Sequence, residues 1–90
     1  MTGLSREVEI LNQRGLHARA SAKFVTLAST LPAQITVHKD GSSVTGTSIM
    51  GLMMLGAAKG DTIVISVAGD GREEALEQLV ALVEGKFGED

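Results

Sequence analysis

The residues of this chain that could do chemistry are concentrated in one segment, Arg14-Gly15-Leu16-His17-Ala18-Arg19-Ala20-Ser21. Gly15 gives the loop backbone freedom, and His17 falls where the first helix is expected to begin. The unpaired backbone N–H groups of Ala18, Arg19 and Ala20 would then point toward the imidazole, and a helix start with free donors is a ready anion site. Arg19 adds a guanidinium whose planar fork suits phosphate. The positive helix end, Arg14 and Arg19 all disfavour a charged imidazolium, which keeps a ring nitrogen free to attack. A neutral nucleophile, an anion cradle and a fixed cation thus meet within one turn. Phosphoryl transfer needs little more, because it depends on positioning and charge stabilisation. His17 and Arg19 are the candidate catalytic pair, and Ala18, Arg19 and Ala20 the candidate phosphate-binding residues. Spacing alone also fits an ordinary exposed histidine at a helix start, and it does not choose between the two.

A second candidate is Ser48, which opens a short helix. Serine is among the best N-caps, worth about 1 kcal/mol. The helix that follows, Ile49-Met50-Gly51-Leu52-Met53-Met54-Leu55, is apolar on every side. Leu52 and Leu55 are expected to enter the core, which leaves Ile49, Met50 and Met53 at least partly outside. Exposed methionine suits a surface that accepts several differently shaped partners. Arg14, Arg19 and Lys23 would rim that patch and steer an acidic partner toward His17. A fully buried helix is the alternative, which a sandwich covered on one side only makes less favourable.

The bulk properties narrow the classes. A chain of 90 residues has length for one domain, residues 1–90, and no second domain for a cofactor. With no cysteine, disulfides and thiolate zinc sites are excluded; His17 and His38 lack partners at ligand spacing, so no metal and no cofactor are expected. A net charge of −3 and two aromatics, Phe24 and Phe87, argue against nucleic acid, which wants a basic stripe and stacking rings. No apolar run approaches the roughly 18 residues of a membrane span, and Met1-Thr2-Gly3-Leu4-Ser5-Arg6 lacks a signal-like apolar segment. A cytoplasmic monomer without membrane insertion is expected.

The elements that must position these residues follow in short order. Arg6–Leu11, with Val8-Glu9-Ile10 alternating, reads as a strand, broken by Asn12-Gln13-Arg14-Gly15. From about Leu16 to Thr30 the apolar Ala20, Phe24, Leu27, Ala28 and Leu31 recur at helical spacing until Pro32. Gln34–His38 alternates as a strand, with His38 on the polar, solvent-facing side; Asp40-Gly41 suits a hairpin turn, and Ser43-Val44-Thr45 returns. Thr62–Val67 is a β-branched strand with Ile63, Ile65 and Val67 on one face. Glu73–Glu84 carries Ala75, Leu76, Leu79, Val80 and Val83 in a helical stripe, with Gly85 as its C-cap. The order β-α-β-β-α-β-α predicts an α+β open-faced β-sandwich, a four-stranded antiparallel sheet with three helices on one face. Fold of this kind does not by itself decide function.

The chain resembles the HPr family, the histidine-containing phosphocarriers of the phosphoenolpyruvate-dependent phosphotransferase system. The resemblance runs from about Arg6 to Val83. It rests on Gly15-Leu16-His17-Ala18-Arg19, on Ser48-Ile49-Met50-Gly51, and on Leu55-Gly56 followed by Lys59-Gly60-Asp61, with His17 and Ser48 separated as in the family. It implies that enzyme I, phosphorylated by phosphoenolpyruvate, passes its phosphoryl group to Nδ1 of His17, and that the group moves on to a IIA-type acceptor. Arg19 then matches the family's active-site arginine, and Ala18 the residue whose N–H faces the phosphoryl group. It also implies that Ser48 is a regulatory phosphorylation site for an HPr kinase/phosphorylase. Three positions depart from the pattern: Ala20 stands where proline is usual, Arg14 where a small polar residue is common, and Thr47 where a basic or amide residue often precedes the serine. The rival readings are a regulatory binding module, acting through Ser48 or through docking of the unphosphorylated form, and a small independent phosphatase, for which no second acid, base or metal cluster is legible beside His17. The acidic tail could lend a carboxylate near Arg19. Sugar uptake and a nitrogen-related regulatory branch are both compatible with these residues.

Overall fold

The computed structural model describes residues 3–89. Its strands are β1 (Gly3–Glu9), β2 (Gln34–Lys39), β3 (Ser42–Thr45) and β4 (Thr62–Ala68), and its helices are α1 (Ala18–Ser29), α2 (Ile49–Met54) and α3 (Arg72–Glu84). They form one antiparallel sheet in the order β1-β4-β2-β3, with the helices over one face. The expected fold is the observed one. A 3-10 turn at Lys86–Gly88, which no sequence pattern announced, follows α3.

Strand alternation sorts the sheet's two faces. Ile35 and Val37 of β2 and Ile63, Ile65 and Val67 of β4 are buried, and they meet Phe24 and Ala28 of α1, Leu52 of α2, and Ala75, Leu79 and Val83 of α3 in one core. Each large apolar side chain so buried contributes about 1.5–3 kcal/mol. The tight turn between β2 and β3 is Asp40-Gly41, with φ of 51° and 85°, the pair of left-handed residues that such a hairpin requires.

On the open face, His38 is half-buried rather than free in solvent. Its Nδ1 lies 3.1 Å from Ser43 Oγ and its Nε2 3.0 Å from Ser66 Oγ, so the ring ties β2 to both neighbours. The alternation placed it on the correct face but could not show that two hydroxyls would meet it there.

The chain end departs most from expectation. Gly85 caps α3 with a φ of −83°, and the left-handed residues come after it, at Lys86, Phe87 and Gly88. A non-glycine residue in that region costs about 1 kcal/mol or more. Burial of the Phe87 ring, 1% exposed, offsets the cost and pins the end of the chain to the core.

Candidate functional site

The loop before α1 is shaped by two close approaches. Gly15, with φ of 65°, passes so near the chain after α2 that an added Cβ would fall 2.4 Å from the Ala57 carbonyl oxygen. Leu16 N–H donates to that same carbonyl at 2.9 Å, and the Leu16 side chain is buried. The loop is thereby fastened to the end of α2, and His17 is delivered to the start of α1.

His17 is itself the N-cap. Its backbone is extended, its carbonyl accepts the first helical hydrogen bond from Ser21 N–H at 2.9 Å, and Nδ1 accepts from the backbone N–H of Arg19 at 3.3 Å. Side-chain capping of this kind satisfies a donor that the first turn leaves unpaired. Of the three first-turn amides expected to face the ring, that of Arg19 meets Nδ1, and the helix starts at Ala18 rather than near Leu16. The side chain is 21% exposed, so the site is reachable from outside.

Nε2 meets a partner the sequence did not assign. Glu89 Oε2 lies 2.6 Å from it, while Oε1 of the same carboxylate accepts from Asn12 Nδ2 at 3.0 Å. Asn12, fully buried, also donates Nδ2 to the Gly15 carbonyl at 2.8 Å. The hydrogen bond from Asn12, then that from His17, hold the Glu89 carboxyl below its ordinary pKa. The acidic tail does lend a carboxylate to the site, but to His17 and not to Arg19.

Arg14, Ala18, Arg19 and Lys23 are exposed, and Ala20 is buried beneath the first turn of α1. Lys23 was expected on the rim of a docking patch. Its ammonium donates to the Phe87 carbonyl at 2.7 Å and so also ties α1 to the chain end.

Ser48 caps α2 as expected, its Oγ accepting from Gly51 N–H at 2.9 Å. Leu52 and Leu55 enter the core; Ile49, Met50 and Met53 are 41%, 69% and 41% exposed, and Met54, which the helical pattern had not singled out, is 80% exposed. An apolar helix is therefore presented to solvent, its C-terminal end joined to the His17 loop through Ala57. Asn12 and Met54 were not singled out from the sequence, and of the acidic tail only a carboxylate near Arg19 was expected, not the contact of Glu89 with His17 or the burial of Phe87. Among the described residues, no group of three or more His, Cys, Asp or Glu side chains could hold a metal ion, and no helix is long and apolar enough to cross a membrane.

An open-faced sandwich carrying a histidine N-cap on its first helix, beside an apolar second helix, defines the class of fold and site to which this chain belongs. Residues 4–85 match the family model described as the PTS HPr component phosphorylation site, and the chain belongs to that family. It is similar to the phosphocarrier protein HPr of Neisseria meningitidis, 49% identical over 86 residues that cover 96% of this chain and 97% of the relative. It is also similar to the phosphocarrier protein NPr of Shewanella violacea, 42% identical over 99% of this chain and 98% of the relative. A crystal structure of HPr-C-His from Thermoanaerobacter tengcongensis superposes with a TM-score of 0.92 at 47% identity, covering 97% of this chain and 98% of that one. An HPr dimer from the same organism superposes with a TM-score of 0.77 at 50% identity, over 91% and 94%.

Proposed function

We propose that the chain is a phosphocarrier that accepts a phosphoryl group from phospho-enzyme I on Nδ1 of His17 and passes it to a IIA-type protein. The observation that carries this reading is the cap at the start of α1, where Nδ1 accepts the Arg19 N–H and Nε2 faces Glu89. The family model spans this segment.

The chemistry follows from the arrangement. Nδ1 is an acceptor here, so its lone pair points into the mouth of the first turn. An incoming phosphoryl group takes the place of that weak hydrogen bond. The N–H groups of Ala18, Arg19 and Ala20 then turn to the phosphoryl oxygens, and the exposed guanidinium of Arg19 neutralises charge as it develops. The Ile49, Met50, Met53 and Met54 surface supplies apolar contact for enzyme I and for the acceptor in turn, with Arg14, Arg19 and Lys23 giving charge complementarity. Ala20 in place of proline leaves the first turn a good helix former, and the chemistry does not depend on the difference.

The protein acts as a carrier rather than a catalyst, as a monomer in the cytoplasm, in sugar uptake or in a nitrogen-related branch. Ser48 is a site of regulatory phosphorylation by an HPr kinase/phosphorylase. A phosphate there adds about −1.5 to −2 charges beside the exposed apolar helix, at a helix start that tolerates them, and so weakens docking without unfolding the domain. The half-buried Ser48 beside that helix also favours a second reading, a regulatory module acting through Ser48 or through docking of the unphosphorylated form.

Incubation with enzyme I and labelled phosphoenolpyruvate separates the two. A carrier acquires acid-labile, base-stable label that His17→Ala cannot take up. A purely regulatory module acquires none.

A further inference from the structure

β1 is an edge strand. It pairs with β4 alone, so among the described residues no strand meets its outer side. That edge, 7 residues long, presents backbone donors and acceptors that a further strand would satisfy. Beside it α3, packed over β1 and β4, leaves a groove of about 360 Å³. The lining includes Arg6 of β1 and, on α3, Glu73, Leu76, Glu77, Val80 and Glu84, whose helical spacing puts them on one face.

Negative charge falls on both sides of the edge. Leu4, Arg6 and Val8 pair with the buried Val67, Ile65 and Ile63 and so lie on the helix side. Alternation then leaves Glu7 and Glu9 on the open side, both exposed. A strand laid along β1 meets those two carboxylates with one set of its side chains. The alternate set enters the groove, over Leu76 and Val80 and among the exposed Glu73, Glu77 and Glu84. Arg6 is the cation in the lining, and Arg72 lies 3.9 Å from the Glu73 carboxylate. Among the described residues, Glu7, Glu9, Glu77 and Glu84 form no ion pair.

We propose that the outer edge of β1 and the α3 groove take an extended, lysine- or arginine-rich segment of a second protein as a fifth strand, while the His17 surface stays free.

The charge selects the occupant. Two copies of this chain meeting edge to edge would set these carboxylates against one another, which disfavours self-pairing. A segment with basic residues at alternate positions and small apolar residues between them matches both faces. Main-chain hydrogen bonds to β1 then supply affinity, and the side chains supply selectivity. The site is also separate from the docking surface described above. α2 packs on α1 and β3, at the opposite edge of the sheet, and its rim of Arg14, Arg19 and Lys23 has the opposite sign. A basic partner in the groove and an acidic partner at α2 are thus held at once.

The test titrates the full 15N-labelled chain with a peptide of alternating Lys and Val, blocked at both ends. Amide shifts should fall in β1 and α3, β1 amides should exchange more slowly, and binding should weaken as salt is raised. Glu77→Lys should weaken binding about tenfold with thermal unfolding unchanged. A backbone-methylated peptide keeps the charge and loses the donors, and it should also bind about tenfold more weakly. Saturating peptide should leave phosphoryl uptake from phospho-enzyme I unchanged. No shifts in β1, equal binding of the methylated peptide, self-association through β1 in place of peptide binding, or slowed phosphoryl uptake overturns the proposal. If the wild-type chain takes no phosphate on His17, the carrier reading fails, and the amide shifts still decide the role of the groove.

Discussion

His17 and Glu89, separated by 72 positions in the chain, face each other across 2.6 Å between Nε2 and Oε2. The contact joins the start of α1 to the last described turn, so the geometry of the site depends on how the chain ends as well as on the loop that precedes it.

The Phe87 anchor makes that dependence testable. Phe87→Ala empties a buried site and should cost about 3–5 kcal/mol. It should also release Glu89 from His17, since Phe87 is the large buried side chain among the described residues of the tail. Denaturant unfolding reads the first effect, and the loss of the Asn12 side-chain amide's protected signal reads the second.

The tail contact should also depend on acidity. Asn12 and His17 hold the Glu89 carboxyl below its ordinary pKa. The stabilisation is therefore fully present above the unfolded-state value and is lost as pH falls through the lower, folded-state value. A carbon-detected titration of the Glu89 carboxyl should show its midpoint below that of an unstructured glutamate. A midpoint at or above the unstructured value contradicts the contact.

Gly15 should tolerate no side chain. An alanine there would set its Cβ against the Ala57 carbonyl in a left-handed backbone conformation, so Gly15→Ala should destabilise the fold by more than about 1 kcal/mol. Thermal unfolding measures this directly. The same variant should slow phosphoryl uptake, because the loop that delivers His17 must move.

Ser48 and the α2 surface should separate stability from docking. Ser48→Ala removes the cap from Gly51 N–H and should cost about 1 kcal/mol, lowering Tm by about 4–8 °C. Met50→Ser, at a site 69% exposed, should change stability by no more than about 0.5 kcal/mol yet weaken transfer to and from partners. Calorimetry and transfer kinetics on both variants distinguish these outcomes. Equal transfer by Met50→Ser and wild type would argue against docking through α2.

The legibility of this molecule in its sequence follows from where periodicity operates. β2, β4, α1 and α3 each carry enough alternating or helically spaced apolar residues that local pattern and tertiary burial agree. The short α2 was legible through its serine cap and its excess of apolar side chains. His17 and Arg19 were legible because a glycine, a histidine and a helix start fall together. The contacts of Glu89 and Asn12 were not, because Glu89 meets His17 and Asn12 only across the fold, with no repeat to announce it. Phe87 stands alone among Gly85, Lys86, Gly88 and Glu89, and only tertiary burial explains why two non-glycine residues there adopt left-handed backbone. Met54 was passed over because its neighbours Leu52 and Leu55 took the core positions, and the remaining exposure can be assigned only once the helix is seen against α1.

The reading that everything else serves is phosphate on one particular atom. After incubation of the 15N-labelled protein with enzyme I and phosphoenolpyruvate, phosphorus–nitrogen coupling identifies the modified atom. Coupling to Nδ1 of His17 is the expected result. Phosphate on Nε2, on any other residue, or on none would contradict it.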